Sequence, residues 1–277
     1  GQTFSYTKID RGHQRYRVIE VNARTAHTRT ILDEQTDTFI WTAHTENLGV
    51  ALVTRLEKTD EIIYVSEVDG WRHLYLIDPN VKSTDTASQD PQITSPGKRL
   101  FAPGLKNQIT KGSYVVRGVD RIDEDRRQIW FRASGLKPNQ DPYFIHYCRI
   151  NFDGTGFVQL TAGNGDHSIQ FSPDRRFIID TYSRLGMPPV HELRKVEDGT
   201  LICQLEEADI SDLLKTGWKT PEVFVAKGRD GMTEIWGAIY RPREFDPQQK
   251  FPVIEDIYAG PHGSFVPKSF SPNSRYQ

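Results

Sequence analysis

A short strand of β-branched or aromatic residues, a polar turn, a second strand closing on Asp, then another turn and a third strand: this unit recurs along the chain and constrains its fold more than any other feature. One copy runs through residues 61–67, turns at Asp69-Gly70, and continues through residues 71–78. Another joins residues 128–133 to residues 143–150, then passes the turn at Asn151-Phe152-Asp153-Gly154 into residues 157–161. A third opens on Phe171-Ser172-Pro173-Asp174, follows residues 177–182, continues through Val190-His191-Glu192-Leu193 and turns at Glu197-Asp198-Gly199. A weaker copy occupies residues 4–32, with residues 16–21 as its second strand. A repeat of roughly 45 to 60 residues built from about four strands is the signature of β-propeller blades. The logic is burial: one sheet cannot cover both its faces, and stacked sheets cover each other. Three or four copies are visible in the sequence, and a closed ring takes roughly four to eight. Either the ring is small or blades precede Gly1. The expected fold class is therefore all-β, with antiparallel four-stranded sheets as blades.

The 277 residues are enough to bury a sizeable core. Hydrophobic residues at 36% and charged residues at 26% fit a globular chain. The 35 basic and 37 acidic side chains are interspersed and give a net charge of -2, which excludes the basic footprint of a nucleic-acid binder. No apolar run approaches the roughly 18 residues of a membrane helix. Residues 1–7 read as a strand and not as a leader, so the chain is expected to begin inside a longer gene product, and no compartment follows from it. Cys148 and Cys203 sit in apolar, strand-like surroundings and are expected to be two buried free thiols, with a disulfide as the alternative. No Cys/His spacing suggests a metal site, and no cofactor is expected.

Residues 79–108 break the rhythm, being rich in Ser, Thr, Asp, Pro and Gly. They read as a long inter-strand loop, a solvated insertion, with substrate gating or an interaction as the alternative. Helical periodicity is nearly absent before residues 208–215, which read as one or two capped turns. Beyond Thr216 the composition changes. Residues 221–226 pair with residues 235–242 across a turn at Lys227-Gly228-Arg229-Asp230-Gly231. A polar loop, 243–250, leads into an apolar segment, 251–258, read as a strand, which ends in Ala259-Gly260-Pro261-His262-Gly263. A hairpin, a strand and a Gly-Pro-His loop are how an α/β-hydrolase sheet begins. The domain reading is a partial propeller over 1–216 and the opening of a hydrolase domain over 217–277.

Four segments carry a resemblance: Val65-Ser66-Glu67-Val68-Asp69-Gly70-Trp71-Arg72-His73-Leu74-Tyr75, Phe171-Ser172-Pro173-Asp174, residues 231–242, and Ile257-Tyr258-Ala259-Gly260-Pro261-His262. The first and last are specific, while the Ser-Pro-Asp turn occurs in many propellers. In this order they resemble the dipeptidyl-peptidase IV branch of the prolyl oligopeptidase family of serine peptidases. The resemblance implies a propeller capping an α/β-hydrolase, peptide substrates cleaved near the N-terminus and often after proline, and relatives that often form homodimers. It also implies that the nucleophile, Asp and His follow residue 277. No Gly-x-Ser-x-Gly elbow occurs in the chain, and Ser264 reads as a loop serine.

Tyr258 is the one residue singled out as catalytic. The matching motif implies that its hydroxyl donates to the oxyanion of the tetrahedral intermediate. Developing negative charge in a dry site needs preorganised donors, each worth roughly 2.7 to 4 kcal/mol. The alternative is a tyrosine that packs against the propeller. Glu206-Glu207 suggests the amine-binding glutamate pair of the family's aminopeptidases, but its surroundings differ, and it reads as solvated acids near a helix N-terminus. In Asp69-Gly70-Trp71-Arg72-His73, Asp-Gly is expected to make a turn, Trp71 to fill a gap between blades, and Arg72 or His73 to bond to backbone or a neighbouring acid. His146 and His167 read as lone histidines in packing or loop roles. The leading functional reading is a fragment of a dipeptide-releasing serine exopeptidase, inactive alone. An acylaminoacyl peptidase or oligopeptidase of the same family, and a non-catalytic binding propeller, are the alternatives.

Overall fold

The computed structural model describes residues 2–42, 51–81, 91–258 and 263–273. The chain divides into two compact units, residues 1–136 with 148–158, and residues 137–147 with 159–277. In chain order the first strands are β1 (Thr3–Ile9), β2 (Arg15–Asn22), β3 (Thr28–Thr36), β4 (Val53–Arg55), β5 (Ile62–Ser66), β6 (His73–Ile77), β7 (Ile93–Ser95), β8 (Lys98–Phe101), β9 (Leu105–Gln108), β10 (Val115–Asp123) and β11 (Gln128–Ser134). There follow β12 (Ile145–Asn151), β13 (Val158–Gln159), β14 (Asp166–Phe171), β15 (Phe177–Arg184), β16 (Met187–Lys195), β17 (Leu201–Glu207), helix α1 (Ser211–Lys215), β18 (Glu222–Lys227) and β19 (Glu234–Ile239). The sheets have the orders β1-β2-β3-β8-β7, β4-β5-β6-β9, β10-β11-β12-β13, β14-β15-β16-β17 and β18-β19. Three of the five sheets are the expected four-stranded blades.

In the first unit, β5 and β6 are buried at every position. Their sequences, IIYVS and HLYLI, are continuous apolar runs, as befits strands covered on both faces. Tyr64, Tyr75, Leu74 and Ile77 are fully shielded and anchor the apolar core. Strand β2 instead alternates, burying Tyr16 and Val18 and leaving Arg15 and Arg17 more exposed. Residues 79–108 are not one long loop. The turn at Pro96-Gly97 joins β7 to β8 with Ser95 opposite Lys98, and β8 extends the first sheet through Asp33↔Phe101 to Thr36↔Lys98. Proline presets the first corner and Gly97, at φ 70°, takes the left-handed second one. Strand β9 then completes the second sheet against β6. These strands are short and polar, so alternation does not reveal them. Residues 82–90 of the same segment lie outside the described residues.

The second unit is built differently. Strand β16 buries Val190, Glu192 and Arg194 on one face, so its inward positions are largely charged. Among the described residues strand β17 pairs only with β16, and it is exposed throughout. Cys203 is therefore exposed, against the expectation of a buried thiol, while Cys148 is buried, and both are free. The expected hairpin is present as β18 and β19, with Glu222 opposite Ile239 and Lys227 opposite Glu234. Asp230 organises its turn by accepting from the backbone N–H groups of Met232 and Thr233 at 2.9 and 2.8 Å. The expected strand over 251–258 is absent. A strand is held by its ladder, and these residues have none among the described residues, with Val253 and Ile254 each 92% exposed.

Candidate functional site

Tyr258 lies at the end of this ladderless segment and is 67% exposed. Its ring faces Phe265, with centroids 6.0 Å apart. Residues 259–262, which carry the Gly-Pro-His turn, lie outside the described residues. The Ser264 hydroxyl donates to the Val266 carbonyl at 2.9 Å, a loop contact. Beyond it the chain is fastened within the second unit. Lys268 Nζ donates to Asp141 Oδ2 at 2.7 Å, with side chains only 10% and 7% exposed. The same ammonium lies 4.8 Å from the Tyr143 ring and 5.4 Å from the Trp236 ring. Ser269 donates to Asp166 Oδ2 at 3.0 Å, and the Phe270 N–H donates to Ser183 Oγ at 3.0 Å. Nothing in the local sequence marks Lys268 as a fastener, because its partners come from distant strands.

The histidines of the second unit are not lone. His146 on β12 faces His167 on β14, with ring centroids 4.7 Å apart. The alternation of β12 puts His146 on its buried face. His167 Nδ1 lies 2.8 Å from Asp180 Oδ1, and its Nε2–H donates to the Gly163 carbonyl at 2.9 Å. Arg194 Nε lies 3.4 Å from Asp180 Oδ2, and Arg194 donates to Glu192 at 2.9 and 2.5 Å. This His-Asp pair has the geometry of a base and its orienting group. Both side chains are 0% exposed, however, which closes the pair off from solvent. It serves as a buried polar core. Burial, reinforced by the neighbouring His167 and Lys137, pushes the His146 pKa down to about 4. Glu206 and Glu207 lie at the end of β17, opposite His191 and Val190, and are exposed.

The resemblance-bearing segment around Asp69 is structural, with one exception. The Asp69 carboxylate accepts from the Trp71 N–H at 3.0 Å, and the Gly70 N–H donates to the Glu67 carbonyl at 2.9 Å, closing the turn. His73 is fully buried; its Nε2–H donates to the Gly112 carbonyl at 2.9 Å and its Nδ1 accepts from the Thr110 hydroxyl at 2.9 Å. Trp71, expected to fill a gap, is instead 41% exposed, because it sits at the tip of that turn. Nearby, Glu34 is buried on β3, and the Tyr64 hydroxyl donates to its Oε2 at 2.7 Å. Burial raises the Glu34 carboxyl to about 7, against the lowering effect of the Tyr64 and Ser66 bonds. No sequence pattern marks Glu34. It occupies an inward position beside Asp33 in a strand whose charges look solvated. Among the described residues no group of His, Cys, Asp and Glu could hold a metal ion, and no helix is long and apolar enough to cross a membrane.

Antiparallel four-stranded sheets with Asp-led turns define a blade-built protein, and the comparisons supply the family. The family described as "Dipeptidyl peptidase IV (DPP IV) N-terminal region" matches residues 1–189. The chain belongs to this family. Human dipeptidyl peptidase 8 is 26% identical over 272 residues, covering 93% of this chain and 29% of that protein. A probable dipeptidyl-aminopeptidase B of Ajellomyces dermatitidis is 26% identical over 245 residues, covering 81% and 26%. Among solved structures, a putative dipeptidyl aminopeptidase IV from Bacteroides ovatus superposes with a TM-score of 0.73 at 22% identity, over 99% of this chain and 37% of that one. Dipeptidyl peptidase 4 of Porphyromonas gingivalis gives a TM-score of 0.67 at 19% identity, over 98% and 34%. The chain thus spans about a third or less of the length of these relatives.

Proposed function

We propose that this chain is part of a serine exopeptidase that releases dipeptides from peptide N-termini. Residues 1–216 would belong to the propeller that filters substrates, and residues 217–277 would open the α/β-hydrolase domain. The observation that carries the reading is family membership over residues 1–189, followed in order by the β18-β19 hairpin and the Tyr258 motif. The named relatives are themselves dipeptidyl peptidases. In the complete protein Tyr258 would donate its hydroxyl to the oxyanion; its exposure leaves the hydroxyl available to a substrate cleft. Serine, aspartate and histidine of the acyl-transfer machinery would come from outside this chain, which contains no Gly-x-Ser-x-Gly.

The test has two arms. The 277-residue chain alone should not hydrolyse an X-Pro-chromophore dipeptide substrate, and turnover by it would defeat the fragment reading. In the complete protein, Tyr258→Phe should lower kcat by roughly 10²-fold or more with little change in KM. Near-normal turnover would remove Tyr258 from the mechanism, and no hydrolysis at all by the complete wild-type protein would favour a non-catalytic binding propeller.

A further inference from the structure

Among the described residues no ladder holds the segment that carries Tyr258, so strand pairing does not set the direction of its ring. What the ring does contact is Phe265: the centroids lie 6.0 Å apart with planes tilted by 41°, inside the range of attractive aromatic pairs. A ring pair at the surface defines a direction only when one member is itself fixed. Phe265 is 41% exposed and lies in a stretch without helix or strand, so its fixture has to come from its chain neighbours.

Residues 268–270 supply it. Lys268 Nζ donates to Asp141 at 2.7 Å, with both side chains nearly buried. A buried pair is costly to break, because removing one partner leaves the other charge unpaired. The Tyr143 and Trp236 rings, 4.8 and 5.4 Å from the ammonium, add to the hold. Ser269 donates to one oxygen of Asp166, whose other oxygen accepts from the Ile145 N–H at 2.9 Å. The Phe270 N–H donates to Ser183, and the Phe270 ring lies 5.6 Å from that of buried Trp218. Three consecutive residues thus reach the approach to β12, then β14, then β15. Only Val266 and Pro267 separate Phe265 from this anchor. The proline restricts φ there, and the Ser264 hydroxyl ties back to the Val266 carbonyl at 2.9 Å.

We propose that residues 264–270 form a strap that positions Tyr258, with Lys268 as its anchor and Phe265 as the contact that sets the tyrosine ring. The strap lies wholly within the second unit. The inference rests on the oxyanion reading of Tyr258. Lys268 touches no reacting atom in that reading and is a positioning residue. An oxyanion donor is effective because its direction is fixed before the reaction begins, and small misplacements of such groups are costly in rate. Loosening the strap should therefore appear in kcat and not in KM.

Two measurements separate the strap from the reading beneath it. In this chain, 3-fluorotyrosine in place of Tyr258 reports the ring directly by ¹⁹F NMR. Lys268→Met, which leaves residues 258 and 265 untouched, should move the line toward its position in the unfolded chain and narrow it, and Lys268→Arg should return it. In the complete protein, Lys268→Met and Phe265→Ala should each lower kcat about tenfold with KM nearly unchanged. Neither should lower kcat further in a Tyr258→Phe background, where a merely structural role would still do so. If Lys268→Met does not fold, Phe265→Ala decides by the same cycle. An unmoved fluorine line in Lys268→Met, wild-type kcat in Phe265→Ala, or losses that multiply with that of Tyr258→Phe would overturn the strap. Near-normal kcat in Tyr258→Phe would instead remove the oxyanion reading, and the fluorine line would then decide the positioning by itself.

Discussion

Replacing Glu34 by Gln should remove a pH dependence of stability that the wild type carries in an unusual direction. Glu34 is 3% exposed, and burial raises its carboxyl from 4.5 to about 7 in the folded chain. A carboxyl raised in the folded state binds more protons there than in the unfolded chain between these two values. Stability is therefore full below about pH 4.5 and is lost as pH rises through about 7. At 1.36 kcal/mol per pKa unit the whole effect is about 3 kcal/mol, most of which falls between pH 5 and pH 8. The groups that face the carboxyl are the Tyr64 and Ser66 hydroxyls, Glu67 and Lys98. Gln keeps an oxygen for the Tyr64 hydroxyl and carries no charge at any pH. His146 slopes the opposite way: depressed to about 4, it contributes stability above about 6.5 that is lost as pH falls. The decisive quantity is thus the difference between wild type and Glu34→Gln, in which the His146 contribution cancels. Urea unfolding followed by tryptophan fluorescence, at half-unit pH steps, would measure it. The variant should be near neutral at pH 5 and more stable than wild type by about 2 kcal/mol at pH 8. A constant difference across that range would refute the assignment of a neutral, buried Glu34.

Three other perturbations test the packing. Lys268→Met strands the Asp141 carboxylate, whose side chain is 7% exposed, and should cost about 2 to 4 kcal/mol in urea unfolding, with a changed Trp236 emission; the added Asp141→Leu should recover most of it. Gly104→Ala would place a methyl 1.8 Å from the Asp78 carbonyl oxygen, where β9 approaches the end of β6, and should lower stability by about 1 to 3 kcal/mol. Burial alone would raise the Glu61 carboxyl, but bonds from Arg127, Lys106 and Thr59 outweigh it and hold the group at about 2. Its contribution is present above about pH 4.5 and lost as pH falls toward 2. Because the Lys106 and Arg127 side chains are 47% and 41% exposed, screening limits the loss in Glu61→Gln to about 2 kcal/mol at neutral pH, vanishing near pH 2.

The blades were legible because their information is local. Asp69-Gly70, Asp153-Gly154 and Asp198-Gly199 mark turns, and the runs between them have the length and β-branching of strands. What escaped was set by distant partners. The β7-β8 hairpin is three to four residues a side and earns its place by ladder bonds to β3, which no local pattern announces. Residues 251–258 carry strand-like residues and no ladder, so propensity was right about composition and silent about pairing. Tyr258 was legible as a motif residue only, through the resemblance, and residues 259–262 that follow it lie outside the described residues.

The two units also differ in how far their interiors could be read. The first has an apolar core readable from the runs IIYVS and HLYLI, although it also buries Glu34, Glu61 and His73. In the second, the inward positions of β15 and β16 include Asp180, Glu192 and Arg194, and the cross-strand register Asp180↔Glu192 brings two carboxylates together. Arg194 bridges the two carboxylates, lying 3.4 Å from Asp180 and 2.5 Å from Glu192, while His167 bonds to Asp180. Such a network is specified by complementarity among four side chains. Each looks like a surface residue when read alone, and only the fold reveals that together they replace a hydrophobic core.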